Sequence, residues 1–232
     1  RSPSEPAIAG VGGAPISAAP AMAPTMHPTA PTTPFVGRES ELQELARILS
    51  DPDCRLLTLV GPGGIGKTRL ATRFVATQKD NYPEGAAVVP LAERHSAGQL
   101  VAAIAEAVQL AFRPQSSELP TLDQECSELS DYLRGRTMLL LLDDMEHLVQ
   151  AAPLLSRLLN EAPGLKMLAT SRERLALPEE WLMEVHGLPT MAPGVEEQGA
   201  LSGAEQLFER CARRVRVGQP FSEADRAAVR RI

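Results

Sequence analysis

Gly61-Pro62-Gly63-Gly64-Ile65-Gly66-Lys67-Thr68 fits the pattern G-x-x-x-x-G-K-[ST], whose chemistry is to cradle the phosphates of a nucleotide. Its glycines permit positive φ, which turns successive backbone N–H groups inward as a nest for anions. A helix starting at Lys67 adds the partial positive charge of its N-terminus. In such a loop Gly61, Gly63, Gly64, Ile65 and Gly66 surround the phosphates. Lys67 reaches the β- and γ-phosphates, and the Thr68 hydroxyl ligates Mg²⁺. The plainer reading, a glycine-rich turn, leaves unexplained why the whole consensus falls between an apolar strand and an amphipathic helix.

A second candidate follows about 75 residues later in Leu139-Leu140-Leu141-Leu142-Asp143-Asp144. Four apolar residues bury a strand, and Asp143 emerges at its end to hold Mg²⁺, directly or through water. Asp144 is placed to polarise an attacking water as a general base. The alternative for Asp144 is a solvated carboxylate or a helix N-cap. Thr170-Ser171-Arg172 ends another apolar run. In a P-loop sheet that strand lies between those carrying Lys67 and Asp143, so Arg172 can sense a γ-phosphate with its planar fork of donors. Spacing alone equally allows a surface arginine. Lys67, Asp144 and Arg172 are therefore the catalytic candidates, and Thr68 and Asp143 the metal candidates.

Three further segments have bland readings. Glu146-His147 lies beside Asp143, but no other His or Cys has ligand spacing, so His147 reads as a satisfied structural histidine. Leu201-Ser202-Gly203-Ala204-Glu205-Gln206 looks like the signature of ABC transporter ATPases but falls after the acidic strand, so Ser202 reads as a helix N-cap. Val36-Gly37-Arg38-Glu39 reads as a loop that caps the first helix through Ser40.

These residues need a sheet to hold them. Apolar runs predict strands at 55–60, 85–91, 137–142, 165–169 and 181–185. Helical periodicity marks 40–50, 67–78, 100–111, 122–133, 154–159, 204–215 and 223–232. The alternation predicts an α/β fold, a three-layer P-loop NTPase with a parallel five-stranded sheet, followed by the start of a helical domain. Residues 35–200 form the nucleotide-binding domain, and 201–232 begin the helical one. Residues 1–34 hold eight of the chain's 20 prolines, with only Arg1 and Glu5 charged, and read as a disordered Pro/Ala-rich linker. Arg1 in first place and a last helix reaching Ile232 suggest that both ends are cuts in a longer protein.

Composition narrows the function classes. A net charge of −6, a pI near 5.3 and 3% aromatics argue against direct nucleic-acid contact by this chain. No apolar run approaches the ~18 residues of a membrane span. Cys54, Cys126 and Cys211 lack ligand spacing and read as free thiols in a reducing compartment, with the cytoplasm as default.

In order, Phe35-Val36-Gly37-Arg38-Glu39, GPGGIGKTRLA through Ala71, LLLLDDMEHL through Leu148 and LATSRERL through Leu175 resemble the nucleotide-binding domain of STAND proteins, signal transduction ATPases with numerous domains. The similarity is greatest to the branch found in large bacterial transcriptional regulators of the LuxR and antibiotic-regulatory types. The resemblance implies ATP or ADP with Mg²⁺ as ligands. It sets Val36 and Arg38 along the adenine and ribose, and brings Arg172 to the terminal phosphate. It implies a regulatory switch with slow Mg-dependent hydrolysis, coupled to upstream and downstream domains and to nucleotide-dependent homo-oligomerisation. A fast-turnover ATPase or phosphotransferase is the alternative. This branch commonly has Asn where Asp144 stands, which leaves hydrolytic competence open.

Overall fold

The computed structural model describes residues 35–78, 80–112, 120–188, 202–215 and 225. In chain order the elements are α1 (Glu39–Ser50), β1 (Leu56–Val60), α2 (Lys67–Val75), β2 (Ala86–Pro90), α3 (Ala97–Ala107), α4 (Leu122–Leu133) and β3 (Met138–Asp143). Two 3₁₀ turns (Met145–His147 and Val149–Ala151) follow, then α5 (Pro153–Glu161), β4 (Leu165–Ser171), β5 (Glu180–Glu184) and α6 (Gly203–Val215). The strands form one parallel sheet in the order β2-β3-β4-β1-β5. β4 therefore lies between β1 and β3, the arrangement needed to bring Arg172 near Lys67 and Asp143.

The unbroken apolar run of β3 follows from having both faces covered. Leu139 and Leu141 join Leu57, Leu59 and Leu168 against α1 and α2, with Leu45, Leu70 and Phe74. Leu140 and Leu142 face the other way with Leu56, Met167 and Ala169, against Leu100, Ile104, Leu129, Leu155 and Leu158 of α3, α4 and α5. Each fully buried leucine stabilises by roughly 1.5–3 kcal/mol relative to exposure. The two clusters make the strands a rigid base for whatever stands at their ends.

Helix boundaries follow caps more closely than apolar spacing. α3 starts at Ala97, three residues before the apolar periodicity suggested, because Ser96 Oγ accepts from Gln99 N at 3.3 Å. It stops at Ala107, before Gln109 takes φ 60°. α2 ends at Val75 rather than at 78: Thr77 N and Gln78 N bond to Phe74 O and Val75 O in tighter turns, and Thr77 Oγ1 donates to Phe74 O. Ser202 caps α6 as expected, with Glu205 N donating to Ser202 Oγ and Ser202 N to Glu205 Oε2. Ser40 does not cap α1. The N-cap is Arg38, left-handed at φ 68° and without a side-chain cap bond, while the Ser40 hydroxyl donates to Glu41. The linker at 1–34 and all but residue 225 of the helix at 223–232 lie outside the described residues. All three cysteines are free, Cys54 and Cys126 buried and Cys211 exposed. Among the described residues no helix is long and apolar enough to cross a membrane.

Candidate functional site

The loop after β1 owes its path to glycine in two ways. A Cβ at Gly61 would lie 2.7 Å from Val185 O, so only glycine lets β1 leave the sheet this close to the end of β5. Gly64 and Gly66 have φ 77° and 101°, left-handed values that other residues adopt at a cost. Gly66 is the N-cap of α2 and has no side chain to satisfy the first-turn N–H groups, which stay available to a ligand. Around Gly64 there is open space: nothing lies within 4 Å of an added Cβ. The cradle therefore has the shape and donors a phosphate chain requires.

Lys67 is buried, and its Nζ donates to Gly61 O at 2.8 Å and Pro62 O at 3.1 Å, within the same loop. Thr68 follows on the exposed side of α2. A cleft of about 290 Å³ opens here, lined by Gly63, Gly64, Gly66, Lys67, Thr68, Arg69, Asp144, Glu146 and Arg172. That volume is near the lower end for small-molecule sites.

Asp143 and Asp144 arrive from β3, and β4 fixes them. Thr170 Oγ1 donates to Asp143 Oδ1 at 2.7 Å and accepts from Asp144 N at 2.9 Å. One hydroxyl thus orients a carboxylate and pins the left-handed turn at Asp144, whose φ is 66°. Asp144 is the N-cap of the following 3₁₀ turn but makes no side-chain cap bond. Burial, then the neighbouring Asp143 and Glu146 carboxylates, push its pKa above the usual aspartate value. The oxygen ligands that Thr68 and Asp143 offer are those Mg²⁺ takes when phosphates and water complete its shell.

Arg172 emerges from β4 over the phosphate loop. Its guanidinium carbon and two of its nitrogens lie 3.5–3.6 Å from where a Gly63 Cβ would stand, and its Nε meets Glu146 Oε1 at 3.0 Å. Arg38 also reaches the loop. It is 8% exposed, and its Nη2 donates to Ile65 O at 2.8 Å and His186 O at 2.9 Å, while Nη1 meets Glu41 at 3.1 Å. Val36 is buried, and a Cβ on Gly37 would touch Leu188 at 3.3 Å. The Phe35–Arg38 segment is thereby tied to the phosphate loop and to the chain after β5. This tie is more than the helix-capping loop the sequence suggested.

His147 is exposed, and its ring meets His95 edge-on at 5.5 Å. No cluster of three or more His, Cys, Asp or Glu side chains suited to a metal occurs among the described residues. Sequence reasoning missed the Thr170 bridge, the Glu146–Arg172 pair and the Arg38 side-chain bonds. Thr170 was legible only as a polar residue ending a strand, and no spacing rule pairs residues 26 positions apart in neighbouring strands.

Residues 34–220 match a family model described as AAA ATPase domain. A Mycobacterium tuberculosis protein named as a putative HTH-type transcriptional regulator is 35% identical over 179 residues, covering 77% of this chain and 18% of that protein. Regulatory protein AfsR of Streptomyces griseus is 31% identical over 189 residues, covering 79% of this chain and 18% of its own length. This chain thus spans under a fifth of each of these two relatives. Among solved structures, Cdc6p from Pyrobaculum aerophilum superposes with a TM-score of 0.53 over 89% of this chain and 52% of that one, at 16% identity, a likeness of fold alone.

Proposed function

Because the chain belongs to the AAA ATPase domain family, we propose that it is the adenine-nucleotide switch of a larger regulatory protein, with slow Mg-dependent ATP hydrolysis. The observation that carries this is the convergence of the phosphate loop, Asp143 and Arg172 at the carboxyl ends of three adjacent strands, β1, β3 and β4. The names of the two regulator relatives, and the resemblance to STAND proteins, support the regulatory half of the reading.

In this reading the Gly63–Thr68 backbone and Lys67 hold the phosphates, and Thr68 and Asp143 hold Mg²⁺. Arg172 answers to the terminal phosphate. Val36, Arg38 and Ile65 shape the wall toward the base, with the Arg38 side chain bracing the loop through Ile65 O. Held there, Mg²⁺ would supply charge neutralisation to the phosphates. Asp144 receives a proton from the water that attacks, and ATP and water become ADP and phosphate. Residues 35–200 act as the nucleotide-binding unit, and the segment from 201 onward, which begins with α6, passes the state on to neighbouring domains or to a second copy of the protein.

A switch also demands energy. To move a population from 1:99 to 99:1, ATP must prefer one state by about 5.5 kcal/mol. Charge-assisted bonds from Lys67 and Arg172 are of the right kind for that difference. The test is calorimetry with ATP and ADP, with and without Mg²⁺, alongside steady-state phosphate release by the same chain. Binding of both nucleotides with turnover well below ~1 s⁻¹, the lower end for typical enzymes, is the expected result. Turnover above that rate would replace the switch with a fast ATPase.

A further inference from the structure

The Glu146–Arg172 pair belongs to no part of the phosphate-binding consensus, yet it stands inside the cleft. Glu146 rides on the 3₁₀ turn after β3 and Arg172 on the end of β4, so neighbouring strand ends deliver the two charges to one point. The contact is single: Arg172 Nε meets Glu146 Oε1 at 3.0 Å. The second carboxylate oxygen, Glu146 Oε2, is buried without a hydrogen-bond partner. The glutamate side chain is 12% exposed and the arginine side chain 66%. A largely buried carboxylate is thus half satisfied by a cation that is itself mostly exposed.

We infer that Glu146 is a resident competitor for Arg172 and sets how strongly the site prefers a triphosphate over a diphosphate. The inference rests on the nucleotide reading above. Arg172 lies over Gly63, where a terminal phosphate approaching along the loop has to meet it. A planar guanidinium matches phosphate bidentately, but here one edge of it is engaged by Glu146. A ligand that draws the fork away leaves the Glu146 carboxylate buried, unpaired and close to Asp144, with more negative charge arriving. That penalty falls on the ligand whose last phosphate reaches Arg172, and hardly at all on one that stops short. A ligand shifts an equilibrium only by its differential interactions, and Glu146 reduces this one. The opposite role, an orienting carboxylate that aims Arg172 at the phosphate, makes the opposite prediction.

The experiment is a double-mutant cycle on the full chain, with Mg-ATP and Mg-ADP affinities measured for wild type, Glu146→Gln, Arg172→Ala and the double variant. Glu146→Gln keeps the shape and removes the charge. It is expected to tighten ATP about tenfold while changing ADP by less than about twofold, as for loss of one charge-assisted competitor. In the Arg172→Ala background the same change is expected to do nothing. Weaker ATP binding in Glu146→Gln overturns the inference, as do equal shifts for ATP and ADP, or a shift that survives loss of Arg172. If Glu146→Gln lowers the folded fraction, Glu146→Asp provides the second variant. It keeps the charge but retracts it by one methylene, and is expected to shift ATP in the same direction by a smaller factor; a shift the other way overturns the competitor role. A wild-type chain that binds neither nucleotide overturns both readings. Wild-type binding abolished by Lys67→Ala but unmoved by Glu146→Gln overturns only this one.

Discussion

At the amino ends of the strands, Lys166 donates to Leu49 O at 2.7 Å and Asp51 O at 2.6 Å, and Arg55 to Ala162 O at 2.6 Å and Leu165 O at 3.2 Å. At the carboxyl ends, Lys67 donates to Gly61 O and Pro62 O, and Arg172 pairs with Glu146. Both ends use a lysine and an arginine, and the carboxyl ends use Arg38 as well. The partners differ. Lys166 and Arg55 close carbonyls more than 100 positions away in sequence, three of them at the ends of α1 and α5, where helices leave orphan acceptors, and the fourth at the start of β4. Lys67 bonds only to its own loop five and six residues back. A lysine whose partners are distant backbone holds the fold together. One whose partners are local and glycine-rich has little structural duty and is left to the candidate nucleotide site.

The largest expected effect comes from exchanging these lysines' fates. Lys67→Ala is expected to weaken ATP by more than ~100-fold, the loss of over 2.7 kcal/mol, and to leave the melting temperature nearly unchanged. Lys166→Met is expected to do the reverse. Two carbonyls lose charge-assisted donors, so stability falls by about 2–3 kcal/mol while ATP affinity stays within about twofold. Calorimetry and thermal melts on both variants check the pair, and equal loss of binding in the two would erase the contrast between the ends.

Thr170→Val is the middle case, because Thr170 serves both duties. It removes the donor to Asp143 Oδ1 and the acceptor for Asp144 N. Stability is expected to drop by about 1–2 kcal/mol, and the Mg-dependent part of ATP binding should weaken as Asp143 loses its orientation. A melt shift with Mg²⁺ dependence intact would place Thr170 with the structural cations instead.

The smallest effect concerns alkaline stability near the structural end. Burial pushes the Cys54 thiol up to about 11, with Lys166 close enough to lower it slightly. A group whose folded pKa lies above its unfolded value adds stability fully present below the unfolded pKa and lost as pH rises through the folded one. Denaturation midpoints should therefore decline from about pH 9 toward pH 11, and Cys54→Ala should flatten part of that slope. Tyr82, raised by burial to about 12, adds to the decline from pH 10 upward. An unchanged slope in Cys54→Ala would show that Tyr82 and other groups carry it.

The sequence by itself determined the phosphate loop, the acidic strand end and the alternation of strands and helices. Each of these is local: glycine at positive φ, a run of apolar residues buried on both faces, and the 3.6-residue period can all be read within about a dozen positions. It also marked Ser202 as a cap and placed β4 between the other two functional strands by analogy of architecture. Tertiary structure alone decided the rest. Thr170 meets Asp143 and Asp144, Arg38 meets Ile65 and His186, and Glu146 meets Arg172 only because parallel strands set their carboxyl ends side by side. Polar groups of side chain and backbone separated by 26 to 148 positions come together through that packing, and no local pattern encodes which polar atoms will face one another once it is complete.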